Sequence, residues 1–329
     1  MLKKLVVLIL LLIVAVSASF GYWATQPIST SAHEFTIKAG SGLRSSTQQI
    51  ANAGVPIQPI FLEVLARLNN QQNKIKAGTY LSNAGITPQE LLNKMVRGEF
   101  LQFNLTLIEG WTFKQMRQAI LQNPYLQHDT ADLTEQEILA KLNSDYTQAE
   151  GLFFPDTYLF PKGTSDMEVY QTAFNQLQQR LMQAWKQRDV QATPFKNPYE
   201  ALILASIVEK ETGLKADRQL IAGVFVNRLR KGMLLQTDPT VIYGMGEMYQ
   251  GNIRKSDLLR DTPYNTYTRI GLPPTPIALV GMESITAALN PIRTDALFFV
   301  SRGDGSSQFS SNLDDHNRAV RQLVLRTRD

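Results

Sequence analysis

Cysteine is absent from this sequence. That excludes disulfides, thiolate nucleophiles and thiolate metal sites together, and it leaves the redox compartment open. Histidine is almost as scarce: His33, His128 and His316 are the only three, and no HExxH pair occurs. No metal site is therefore expected. Neither a P-loop nor a GxGxxG is present, and no cofactor is expected. Charge is balanced, with 33 Lys and Arg against 29 Asp and Glu. The basic residues form no cluster interleaved with aromatics, so no nucleic-acid partner is expected. The small positive excess fits a solvated surface beside an anionic membrane or wall. With 329 residues, 43% of them hydrophobic, the chain is long enough for two modest domains.

What is present begins with a long apolar run. Lys3 and Lys4 precede an uncharged stretch from Leu5 to Ala24, about 30 Å long as a helix and enough to span hydrocarbon. Tyr22 and Trp23 fall where an interfacial aromatic belt would lie. No Lys or Arg follows until Lys38, so the charge bias keeps the first residues in the cytoplasm and exports the rest. A cleaved signal peptide, with Val16-Ser17-Ala18 at the cleavage site, is the competing reading. The run is longer than the usual signal core, which favours an uncleaved anchor.

After a polar linker at residues 25–34, periodicity predicts a compact unit over residues 35–99. Phe35-Thr36-Ile37 reads as a strand, Leu43 to Ala53 as a helix stopped at Gly54, and Pro59 opens a second helix. Ile75 to Tyr80 reads as a strand, and Pro88 begins a helix to Val96. Residues 100–108 alternate, with Leu101, Phe103, Leu105 and Leu107 on one face of a half-buried strand. Thr112 and Gln115 form a capping-box pair. Helical stretches follow near 134–143 and from Met167 to about Arg188.

The segment Ala201 to Val208 (ALILASIV) is apolar almost all round, as a helix buried in a core must be. It runs into Glu209-Lys210-Glu211-Thr212-Gly213, where Gly213 can close the helix. Either glutamate emerges from buried surroundings, and desolvation raises a carboxyl pKa toward that of a general acid for glycoside cleavage. A solvated, charged helix end is the competing reading, and periodicity does not choose between the two glutamates. The next helix, about Ala216 to Lys231, carries Asn227 and Arg228. Asp238-Pro239 reads as an N-cap and first-turn pair. Thr262 to Tyr267 (TPYNTY) mixes amide, hydroxyl and aromatic groups, as sugar-binding loops do. Leu297 to Val300 reads as a strand, and Asn312 as the cap of a last helix bearing His316 and Asn317.

Five separated stretches carry a resemblance: EGLFFPDTY (150–158), ASIVEKET (205–212), FVNRLRKGMLLQTDPTVIYGMG (225–246), YNTYTRIGLPPTPI (264–277) and FSSNLDDHNRAV (309–320). In this order they resemble the endolytic murein transglycosylases, the YceG-like family. The opening FTIKAGSGL also resembles the start of a LysM module, a β-α-α-β unit that binds N-acetylglucosamine polymers. The resemblance implies an α+β protein: an N-terminal transmembrane helix (residues 1–24), a small LysM-like α/β subdomain (35–99) and a C-terminal mixed α+β catalytic domain (100–329). It implies a single-pass inner-membrane enzyme with its catalytic domain in the periplasm. Its partners would be peptidoglycan glycan strands and the peptidoglycan synthases (penicillin-binding proteins).

The implied reaction is that of a carbon–oxygen lyase. It cuts nascent strands between N-acetylmuramic acid and N-acetylglucosamine, leaves 1,6-anhydro ends and terminates strand elongation. The resemblance places the catalytic carboxyl at Glu209. Substrate contacts are expected from Glu150, Gln236, Thr237, Asp238, Tyr243, Tyr264, Asn265, Thr266, Tyr267, Asn312 and His316. A lytic transglycosylase needs one carboxyl used twice, whereas a hydrolytic muramidase needs two, with Glu150, Asp156 and Asp238 as candidates for the second. A non-catalytic wall-binding scaffold would use the same loops without Glu209.

Overall fold

Leu2–Thr25 forms a single helix, α1, in the computed structural model, which describes residues 2–325. The helix is long and apolar enough to cross a membrane, and Ala24 is its one buried residue. The chain is an α+β protein that divides into two units, residues 1–104 with 159–164, and residues 105–158 with 165–329.

The first unit contains β1 (His33–Ile37), α2 (Leu43–Asn52), α3 (Pro59–Leu68), β2 (Gly78–Ser82) and α4 (Pro88–Arg97). Strands β1 and β2 pair antiparallel, His33 opposite Ser82 and Ile37 opposite Gly78. The expected strand at 75–80 instead starts three residues later and ends two residues later, at Gly78–Ser82. Its first half is held elsewhere, since the Lys76 N–H donates to the Met95 carbonyl. Gly78 at φ +150° then admits the Phe100 ring, which would lie 2.4 Å from a Cβ there. The core stacks Phe35 on Tyr80 at 5.5 Å, and the buried Tyr80 hydroxyl donates to the Lys76 carbonyl at 2.7 Å. Helix α4 has the capping box its sequence encodes, Thr87 with Glu90, and ends at a left-handed Gly98.

Strand β3 (Gln102–Thr106) carries the chain into the second unit. There α5 (Phe113–Leu121) and α6 (Glu135–Lys141) are both started by capping boxes, Thr112 with Gln115 and Thr134 with Glu137; the two-residue β4 (Leu126–Gln127) lies between them. The strands β5 (Thr157–Pro161) and β6 (Thr164–Ser165) precede α7 (Asp166–Lys186). The centre of this unit is α8 (Pro198–Glu211), in which every residue from Ala201 to Val208 is buried. It packs against α9 (Lys215–Arg230) and, after α10 (Asp238–Met245) and α11 (Lys255–Leu259), against α12 (Met282–Leu289). Ser206, the one polar residue in the apolar run, is satisfied internally: it donates to the Ile203 carbonyl and accepts the Ile277 N–H. The hairpin β7 (Phe298–Ser301) and β8 (Ser307–Ser310) and the helix α13 (Leu313–Val320) complete the described chain, with a short helical turn to Leu325.

Two local expectations are corrected. Helix α8 stops because Thr212 is extended (φ −144°, ψ 134°), not because Gly213 caps it. The N-cap of α10 is Thr237, which places Asp238 inside the first turn and frees its carboxylate for other contacts.

Candidate active site

The start of α8 is fixed locally: Asn197 accepts the Glu200 N–H at 3.0 Å, and Pro198 supplies the first turn. Its buried body then delivers Glu209 and Glu211 to the same end of the unit. Two helical residues apart, they point about 200° from each other around the axis, and they meet different surroundings.

Glu209 turns into an ion cluster. One carboxylate oxygen lies 3.3 Å from Arg218 Nη2, and the other accepts the Gly281 N–H at 3.0 Å. The side chains of Glu209 and Arg218 are 4% and 9% exposed. Arg218 also pairs with Glu283 at 3.0 Å. Glu109, to which the sequence reading gave no role, completes the group. Its carboxylate lies against the Cα of Gly281, where an added Cβ would sit 2.0 Å from an oxygen. Burial, and then the charge of Glu209, push the Glu109 carboxyl up.

Glu211 turns the other way, into a cleft of about 410 Å³. The Thr237 hydroxyl donates to its carboxylate at 2.7 Å. Burial pushes the Glu211 carboxyl above its ordinary range and nearby Asp238 adds to the rise, while the Thr237 bond opposes it. Gln236, Asp238, Tyr267 and His316 line the same cleft, with Arg228, Phe298 and Phe299. Tyr267 donates to Asp238 at 2.6 Å. His316 stacks on Phe298 at 5.2 Å, and burial and the charge of Arg228 hold its pKa below the usual histidine value. Gln236 adopts a left-handed backbone (φ +52°), a strained conformation for a non-glycine residue. It is fixed there by its N–H to the Thr266 carbonyl, and Arg228 donates to its side chain. Arg228, 7% exposed, also donates to the carbonyls of Leu234, Leu235 and Leu297. It braces the cleft wall from within.

The other predicted contacts fall elsewhere. Asn265 is 1% exposed, and its amide donates to the Leu258 and Arg260 carbonyls, so it shapes its loop from inside. Thr266, 2% exposed, accepts the Thr237 N–H and shares a bond with Thr240. Thr237 is also 2% exposed and acts through Glu211. Glu150, Tyr243 and Tyr264 form a separate group. Tyr243 and the Phe113 N–H both donate to Glu150, the Tyr243 and Tyr264 rings meet edge to face at 4.8 Å, and Tyr264 bonds Thr275. Burial pushes the Glu150 carboxyl up to about 7. Asn312 is exposed and caps α13 by accepting the Asp315 N–H at 2.9 Å. A larger cavity, about 500 Å³, lies along the opposite side of α13, lined by Asp315 and Arg318 among others. Those two side chains pair with each other in the open, and among the described residues lining it none is a buried carboxyl.

A carboxyl with a raised pKa in an open cleft can exchange a proton with a bound molecule, and the amide, phenol and ring faces around it can pair with hydroxyls and stack on apolar faces. Residues 35–322 match the sequence model of the YceG-like family, and the chain belongs to that family. It is 33% identical over 269 residues to a protein of Bacillus subtilis named endolytic murein transglycosylase, covering 76% of this chain and 73% of that one. A protein of the same name from Streptococcus pneumoniae is 27% identical over 98% of this chain, which spans 65% of that relative's length. The crystal structure of a YceG-like protein from Listeria monocytogenes superposes with a TM-score of 0.57 at 30% identity, covering 88% of this chain and 99% of that one.

Proposed function

We propose that this protein is a membrane-anchored endolytic murein transglycosylase, and that Glu211 is the group that moves the proton. The observation that carries the assignment is the cleft: Glu211 faces it with a raised pKa, while Glu209 is committed to Arg218. Both Glu209 carboxylate oxygens are already engaged, one by Arg218 and the other by the Gly281 N–H, in a side chain that is only 4% exposed, so the group is not presented to a ligand. This moves the catalytic role from Glu209, where the family resemblance put it, by two residues.

Protonated Glu211 donates to the glycosidic oxygen between N-acetylmuramic acid and N-acetylglucosamine. The C1–O bond breaks, its electron pair leaves with that oxygen, and an oxocarbenium-like centre forms at C1. The Glu211 carboxylate then takes the proton of the muramoyl C6 hydroxyl as O6 closes on C1, giving the 1,6-anhydro end. One group acts as acid and then base, so its pKa belongs near the working pH. Asp238 and Tyr267 border the reacting sugar, and the faces of Phe298 and His316 are available for stacking.

Helix α1 is read as an inner-membrane anchor with its first residues in the cytoplasm and the two units in the periplasm, supported by Lys3, Lys4 and the uncharged run. The first unit, by its resemblance to LysM, holds glycan and raises its local concentration. The synthases that make the strands are the partners such a position serves. Asp238 in the cleft favours one competitor, a hydrolytic muramidase that uses it as the second carboxylate.

Digestion of uncrosslinked glycan strands followed by mass spectrometry tests the reading. Anhydro ends support it, and reducing ends identify a muramidase. Absence of cleavage leaves a scaffold. Within the same assay, Glu211→Gln should be folded and inactive. A folded, inactive Glu209→Gln beside an active Glu211→Gln would return the role to Glu209.

A further inference from the structure

Helix α3 has two apolar faces. Leu62, Leu65 and Ala66 are buried in the core of the first unit. Ile60, Phe61, Val64 and Leu68 are 57, 40, 39 and 67% exposed. At 3.6 residues per turn these four fall within an arc of about 100°. Single exposed apolar residues are ordinary, whereas a continuous stripe along one helix marks a contact surface.

The contact is identified by what lies beside it. The Phe61 ring meets Trp23 edge to face at 5.4 Å and Phe20 at 6.3 Å. Both belong to the last turns of α1, whose earlier side chains from Leu5 to Val16 stand in the open. If Leu5 to Ala24 is the hydrocarbon span, Phe20 and Trp23 occupy roughly its last 6 Å, the depth at which aromatic side chains collect in membranes. Phe61 is held at that depth by ring contact, and Ile60 and Val64 adjoin it on α3. Arg67 is exposed at the margin of the stripe, where its stem can follow apolar surface while the guanidinium reaches lipid phosphate.

We propose that the exposed face of α3 seats in the bilayer at the boundary of headgroups and acyl chains, where α1 emerges. The occupant is lipid. Two adjoining elements, one spanning and one lying in the interface, then fix the height of the first unit above the membrane, where α1 alone would leave it free to tilt. The proposal rests on α1 being a membrane anchor.

The absence of native cysteine makes single-cysteine labelling unambiguous. Full-length Leu68→Cys and Ile13→Cys proteins are labelled with an environment-sensitive fluorophore. Each is reconstituted in phosphatidylcholine–phosphatidylglycerol vesicles whose lipids carry nitroxide quenchers at the headgroup, shallow acyl or deep acyl position. The label at residue 13 is expected to be quenched most by the deep nitroxide, and the label at residue 68 by the shallow one, at least twofold over nitroxide-free vesicles. Adding Ile60→Ser and Val64→Ser to the Leu68→Cys chain should remove at least half of that quenching while the melting transition is kept. Quenching at 13 without quenching at 68 overturns the proposal and leaves the anchor standing. No quenching at 13 removes the anchor and the proposal with it. A label at 68 shielded from iodide but untouched by lipid nitroxides places a second copy of the chain on this face and also overturns it.

Discussion

The Thr237 hydroxyl lies 2.7 Å from the Glu211 carboxylate and donates to it, from a side chain that is itself almost fully buried. The bond favours the ionised form of Glu211 and opposes the rise that burial produces. Removing it with the near-isosteric Thr237→Val should raise the Glu211 pKa further. The acid form starts the reaction, so activity is lost as pH rises through that pKa. The descending alkaline limb of kcat/KM should therefore move to higher pH in the variant, and kcat should fall about tenfold as the carboxyl loses its orienting partner. An unmoved limb would mean that Glu211 is not the titrating acid.

Glu209 and Glu211 should respond oppositely to amide substitution in a melting experiment. Glu209→Gln leaves the buried Arg218 with Glu283 as its remaining direct ion pair and Glu109 nearby. Breaking a buried pair from one side costs about 3 kcal/mol, a drop in Tm of roughly 5–10 °C in a unit of this size. Glu211→Gln removes a group whose ionised form is disfavoured by burial, and its Tm at pH 7 to 8 should be unchanged or higher. Equal losses in both variants would remove the distinction between structural and catalytic glutamates.

The Glu150 carboxyl, with its pKa near 7 in the fold, makes stability depend on pH in a stated direction. Between about pH 4.5 and 7 the unfolded chain loses this proton while the folded chain retains it. Stability is then fully present below the unfolded pKa and is lost as pH rises through the folded one, by about 3 kcal/mol in all. Glu150→Gln mimics the protonated side chain toward the Phe113 N–H and Tyr243. Thermal melts from pH 5 to 8 should fall for the natural protein and flatten for the variant.

Gly151 is at φ +73°, and an added Cβ would lie 2.4 Å from the Pro276 side chain and 3.1 Å from the Ala278 carbonyl. Neither neighbour can rotate away. Gly151→Ala should lower stability by at least about 2 kcal/mol through strain and clash together. It should also perturb Glu150 beside it, visible as a changed pH dependence of the melt.

Much of the chain was legible because the forces were local. The capping box expected at Thr112 involves residues three apart and formed, and the boxes at Thr87 and Thr134, which were not among the expectations, obey the same local rule. The apolar run of α8, the proline starts of α3, α4 and α8, and the Asn312 cap follow from the same short-range rules. The strand placed at 75–80 moved to Gly78–Ser82 because a distant partner decided it: the Lys76 N–H went to Met95, nineteen residues on. The cleft was half legible. Tyr267 was legible from the chemistry of its loop, and Gln236, Asp238 and His316 came with the family resemblance, but Asn265 and Thr266, from the same loop as Tyr267, are buried in that loop's own hydrogen bonds.

By itself the sequence determined the apolar span, the helix that carries the two glutamates, and the fact that two residues along a helix place them on opposed sides. Which side holds the cleft was decided only in three dimensions. Arg218 and Gly281, 9 and 72 residues from Glu209, close over one carboxylate, while Thr237, 26 residues from Glu211, turns the other toward Asp238 and Tyr267. A periodicity records the angle between two side chains; the surroundings that set their charge come from chain segments the periodicity does not contain.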